Sequence, residues 1–131
     1  MTLAEIRDWL RTLEAAENYY IGRLDNKKER SLGVYARPGR GAPAAAIGGR
    51  ERESYGVRRV RLLLHWNRNA AETENAARRL WELLRSRTGV TVPGGGVIQY
   101  TEPAVPEPVA VGTDENGIYE YVIDMNVYYR R

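Results

Sequence analysis

A single histidine, His65, is the chain's only imidazole, so a multi-histidine metal centre is out of reach and a histidine-based triad would have to use this ring. Next to Trp66 on an alternating apolar segment, it reads as a structural or surface histidine rather than a general base. Asp114 and Glu115 are followed by Asn116 and Gly117, a turn signal. A calcium loop would need further oxygen ligands at fixed spacing, and Ile118 and Tyr119 do not supply them, so the pair reads as a solvated turn. Gly39-Arg40-Gly41 and Gly94-Gly95-Gly96 lack the strand before, the helix after and the Lys-Ser/Thr or distal acid that a phosphate cradle requires. With no cysteine there is no disulfide framework, thiolate metal site or thiol nucleophile. The sequence thus offers no catalytic residue, no metal site and no cofactor.

Charge points to binding surfaces. From Arg23 to Arg61 there are 11 basic residues against 4 acidic ones. From Thr88 to Tyr129 there is no Lys or Arg, while Glu102, Glu107, Asp114, Glu115, Glu120 and Asp124 supply 6 negative charges. Such opposed tracts can steer a nucleic acid to the basic part, or one copy of the chain to another. Arginine outnumbers lysine 18 to 2, and its planar donor fork suits interfaces, although coding bias gives the same ratio. Lys27, Lys28, Arg30, Arg37, Arg40, Arg50 and Arg52 could grip phosphates. Only Tyr35 and Tyr55 offer bases a platform there, and Asp25, Glu29, Glu51 and Glu53 interrupt the positive run.

These residues need elements to position them. At 131 residues, 43% hydrophobic and 28% charged, the chain has the proportions of one globular folding unit. No apolar run approaches the ~20 residues of a membrane span and the N-terminus lacks a secretory apolar stretch, so the expectation is a soluble protein, intracellular when made, with no membrane partner. Thr2 and Glu5 form a capping-box pattern ahead of Leu3, Ile6, Leu10 and Leu13, predicting an amphipathic helix that ends near Ala16. Segments 18–24 and 31–37 read as two strands joined by the charged tip 25–30, a β-hairpin extension. Pro38 to Gly56, rich in glycine and holding an alanine run, reads as a long flexible loop. Val57 to Trp66 reads as a central strand.

Asn69 and Glu72 then open a second helix carrying Thr73, Ala77, Leu80 and Leu84, expected to stop at Gly89. Segments 97–101 and 109–111 are short strand candidates separated by Pro103, Pro106 and Pro108. The alternation of Tyr119, Tyr121, Ile123, Met125, Val127 and Tyr129 is the clearest strand signal in the chain. The expected class is α+β, an antiparallel or mixed sheet with two amphipathic helices on one face.

The run Tyr20-Ile21-Gly22-Arg23-Leu24-Asp25-Asn26-Lys27-Lys28-Glu29-Arg30-Ser31-Leu32-Gly33-Val34-Tyr35 resembles the tailed-phage minor capsid family also classed as tail terminators. Further matches run through Leu64-His65-Trp66-Asn67, Ala71-Glu72-Thr73-Glu74, Pro106-Glu107-Pro108-Val109 and Val111 to Tyr121, in the expected order; the 38–56 loop departs from the pattern. The resemblance implies a single tail-terminator-like domain over residues 1–131 that forms a ring, typically a hexamer, on the head-proximal end of the tail tube. Such a ring stops tail polymerisation and offers the surface that joins the head. Its partners would be itself, the tail tube protein and head–tail connector proteins, with DNA only as passing cargo. Its place would be the head–tail junction of the virion, and the host cytoplasm during assembly. The family is not known for enzymatic activity and brings no catalytic residues.

A ring needs a heterologous interface, in which one surface meets a different surface of the neighbour. The charge tracts supply a candidate: Lys27, Lys28, Arg30, Arg37, Arg40, Arg50, Arg52 and Tyr55 on one side, Glu102, Glu107, Asp114 and Glu115 on the other. A head–tail connector and a nucleic-acid-binding module using residues 23–61 are the competing readings.

Overall fold

In the computed structural model, residues 1–38, 55–85 and 87–130 are described. Helix α1 (Leu3–Thr12) begins where the sequence places it. The Thr2 hydroxyl accepts from the Glu5 amide at 3.1 Å and the Glu5 carboxylate accepts from the Thr2 amide at 3.2 Å, so two of the orphan donors of the first turn are satisfied. The helix stops before Ala16 because Glu14 turns into the left-handed region at φ 53°.

Strands β1 (Asn18–Ile21) and β2 (Ser31–Ala36) are where two strands were expected, but they do not form a hairpin. They run parallel, Asn18 beside Ser31 through Ile21 beside Val34. Residues 22–30 carry the chain back to its starting end. Arg30 at φ 53° makes the turn, its amide donating to the Trp66 carbonyl and its carbonyl accepting from the Glu17 and Asn18 amides. The antiparallel partner of β2 is β3 (Tyr55–His65), in register from Ser31 opposite His65 to Ala36 opposite Val60. Tyr55 and Gly56, assigned above to the loop, open this strand; the rest of that loop, 39–54, lies outside the described residues.

Helix α2 (Ala70–Leu84) starts on the predicted cap, with the Glu72 amide donating to Asn69 Oδ1 at 3.0 Å. The Glu72 carboxylate accepts from Asn67 instead of closing the box. The helix ends before Gly89, because the Leu83 and Leu84 carbonyls are taken by the Arg87 guanidinium and the Thr101 hydroxyl. The chain then enters a strand the sequence did not announce, β4 (Thr88–Thr91), paired antiparallel with β5 (Val97–Pro103). Strand β7 (Tyr119–Arg130) takes β3 along one side; along the other it takes β5 and then β6 (Val109–Thr113). The prolines at 103, 106 and 108 mark the step between these two partners.

The sheet order is β1-β2-β3-β7-β5-β4, with β6 also on β7, all pairs antiparallel except the first. Alternation puts Leu32, Val34, Val60, Leu62, Leu64, Ile98, Ile123, Met125 and Val127 on one face, in a single core with Ile6 and Leu10 of α1 and Ala77, Leu80 and Leu84 of α2. Both helices therefore lie on one face of a mixed sheet, and the fold is α+β as expected. Among the described residues no helix is long and apolar enough to cross a membrane.

Candidate interaction surface

Since both helices pack on the same side, the opposite face of the sheet meets no helix among the described residues. Register orders it in rows. One row runs Gly33, Leu63, Val122, Val109 across four strands and is apolar. The next is Tyr35, Arg61, Asp124, where the guanidinium grips the carboxylate with two bonds, 2.8 and 3.1 Å. That grip holds the Asp124 carboxyl below its ordinary range despite partial burial, and raises Arg61 further. Burial, and next the charge of Glu120, raises the Tyr35 phenol.

Beyond lies a polar network. Arg37 Nη2 donates to Asn126 Oδ1, Asn126 Nδ2 donates to Glu102 Oε1 at 3.2 Å, and the Tyr128 hydroxyl donates to the same oxygen at 3.4 Å. Tyr100 stacks on Tyr128 with centroids 4.1 Å apart, and Tyr55 lies 6.1 Å from Tyr128. Burial first, then the Tyr100 hydroxyl and the Glu102 charge, push the Tyr128 phenol up to about 12.

At one end of the sheet two turns meet over a buried histidine. His65 is 0% exposed; Nδ1 lies 2.9 Å from Glu120 Oε2 and Nε2 3.1 Å from the Asn26 carbonyl. Asp114 Oδ2, buried without a hydrogen-bond partner, is 3.7 Å from Nε2. Asp114 Oδ1 accepts from the Asn116 and Ile118 amides, so this carboxylate is tucked under its turn, and only Glu115 is solvated as the sequence suggested. His65 is a structural residue, bonding the 25–28 turn to Glu120 on β7 and lying against Asp114 of the 114–117 turn. Lys27, Lys28 and Glu115 project outward there. A cleft of about 590 Å³ lies between the turns, lined by Arg23, Asp25, Lys27 and Glu115 among others.

A second cleft, about 670 Å³, opens between the end of α2 and the β5–β6 connection, lined by Trp81, Arg85, Tyr100 and Pro106 among others. The Trp81 indole N–H is buried there without an acceptor, and Arg85 lies over its ring at 5.2 Å.

The predicted interface residues are not gathered on one patch. Lys27, Lys28 and Glu115 share the turn end. Arg30 is bonded to Glu17 at 3.1 Å, Arg37 to Asn126, and Glu102 to Asn126 and Tyr128. Glu107 is exposed, 3.9 Å from Arg78, and Tyr55 opens β3 beside the stacked tyrosines. Arg40, Arg50 and Arg52 lie outside the described residues.

Part of the charge opposition along the sequence is thus satisfied inside the subunit, because basic β3 and acidic β7 are neighbouring strands. Sequence reasoning named Arg61 and Asp124 only as members of the charge tracts, without pairing them, and missed the stack of Tyr100 on Tyr128. The alternation of β7 could have placed Asp124 opposite the core, but its partner needed the register. No cluster of three or more His, Asp or Glu among the described residues could hold a metal.

A family model described as bacteriophage tail terminator protein matches residues 2–131. Comparison with curated proteins finds no match.

Proposed function

Because the chain belongs to the bacteriophage tail terminator family, its role is structural and lies in the phage virion, and we propose that it works as a ring of about six copies on the tail tube. The ring sits on the head-proximal end, stops tube growth and presents the surface to which the filled head joins. Its partners are further copies of itself, the tail tube protein and a head-side connector, with DNA passing through. The observation that carries this reading is the extent of the family match, which runs along residues 2–131 rather than over a fragment. The geometry agrees with it: the surface offers a sheet face that no described helix covers and opposed charges at Lys27, Lys28 and Glu115, which suit contact rather than reaction.

Light scattering tests the ring, with and without the tail tube protein. A species near about 90 kDa, six times the 14.9 kDa chain, is the expected result. Tubes grown with the protein present should also be shorter in electron micrographs. A monomer that ignores the tube protein overturns the proposal.

A further inference from the structure

The sheet distributes its charges in an unusual way. Its two central strands are charged, Arg58, Arg59 and Arg61 on β3 and Glu120 and Asp124 on β7, while internal β2 (SLGVYA) holds no charge. Its three border strands, β1 (NYYI), β4 (TGVT) and β6 (VAVGT), hold no charged residue at all. A subunit that stays alone protects its sheet edges with lysine, proline or inward-pointing charge, since a bare edge is a template for another strand. Here the borders are short and β6 is bulged, but none of the three holds a charge or a proline, and they are partly apolar. Every residue of β6 is exposed, Val109 and Val111 at 49% and 56%, and Ile21 at the end of β1 is 37% exposed.

Resting on the ring reading above, we infer that β6 of one subunit pairs with β1 of the next copy, so that the sheets continue around the ring. Strand direction selects this pair. β1 runs with β2, against β3, with β7 and against β6, so β1 and β6 point opposite ways; β4, reached through β5, points the same way as β1. Successive copies in a ring are related by rotation about one axis, which preserves these senses for strands that run along that axis. Joining β6 to β1 therefore gives an antiparallel ladder, whereas β4 to β1 would give the weaker parallel one.

The occupant is a second copy because the chain itself carries the short, uncharged, oppositely directed edge that β6 needs, at the far border of the same sheet. The bulge at Val111, between Ala110 and Gly112, keeps β6 from offering a long flat edge and suits a partner as short as β1. One such contact is weak, so pairing waits for a ring, where every subunit is held on two sides.

The absence of cysteine makes the test clean. Chains carrying Ile21→Cys together with Val109→Cys or Val111→Cys are assembled on tail tube protein, oxidised, and run on a non-reducing gel. The expected result is a ladder of covalent oligomers ending at the closed ring, with each single variant left monomeric. In parallel, Val109→Lys with Val111→Lys should keep the wild-type unfolding midpoint and weaken assembly by roughly tenfold or more.

Dimers from Val111→Cys alone would mean like edges pair, which overturns the inference. Rings that form normally in the lysine variant, with no cross-linking of either double variant, overturn edge pairing and leave the ring standing. Failure of the wild-type chain to form any ring overturns both.

Discussion

Replacing His65 tests whether the turn end is held by its buried ring. The ring is fully enclosed, with a carboxylate at 2.9 Å and a backbone carbonyl at 3.1 Å. A hydrogen bond to a charged group contributes about 1.5–3 kcal/mol and one to a neutral group about 1, so the two together come to about 2.5–4 kcal/mol. His65→Phe keeps a ring of similar bulk but removes both nitrogens, leaving Glu120 and the Asn26 carbonyl unpaired; it should cost about 3 kcal/mol. His65→Ala adds a cavity and should cost about 3–5 kcal/mol. Against a total stability of about 5–15 kcal/mol, the alanine variant should melt roughly 10–20 °C lower.

Urea denaturation gives the free energies, and a double-mutant cycle with Glu120→Gln isolates the pair, whose coupling should be about 1–2 kcal/mol. Hydrogen exchange should rise first in residues 25–28 and 114–117, the two turns that meet over the ring. A His65→Phe variant within about 0.5 kcal/mol of wild type, with both turns equally protected, would mean that the buried ring does not hold this end of the sheet.

Asp124 carries a pH prediction. Its carboxyl is held below the ordinary 3.8, so the unfolded chain takes up the proton first, and the contribution is present above 3.8 and lost as pH falls below it. Because Arg61 is half exposed the effect is below about 1 kcal/mol, and Asp124→Asn should flatten that part of the acid limb in urea titrations between about pH 5 and pH 2. Thr2→Ala removes the hydroxyl that caps α1 and should cost about 1 kcal/mol by thermal unfolding, with Thr2→Ser restoring most of it.

How much of this was legible depended on whether the signal was local. The starts of α1 and α2 were, because Thr2 with Glu5 and Asn69 with Glu72 act within one turn. Strands β3 and β7 were, since a period of two over about ten residues admits one reading. The direction of β1 was not: alternation is the same for parallel and antiparallel strands, and what decides is the turn at Arg30, bonded to Trp66 in a distant segment. The end of α2 and the strand after it depend on Thr101 and Arg87 reaching back to helix carbonyls, contacts with no trace in local spacing.

At the surface, charge counts along the chain showed opposed tracts but not that Arg61 and Asp124 would spend them on each other. The apolar edge at Val109 and Val111 read only as a short strand candidate. Exposure of those two residues is a property of the sheet order, and it becomes visible only when β6 is found on the border of β7.

Strand β7 is the partner of β3, β5 and β6 together, and it spans residues 119–130. On the ribosome, the sheet therefore stays divided until those residues have emerged: β2 and β3 on one side, β4 and β5 on the other, β6 unpaired. Residues 104–130 remain to be made once β5 is complete, so at roughly 5–20 residues per second the nascent chain spends on the order of a few seconds in that divided condition, its apolar faces open to chaperones and to other nascent chains. The subunit is thus completed in one late step rather than piece by piece. A translation product that stops short of β7 cannot join the two halves of its sheet.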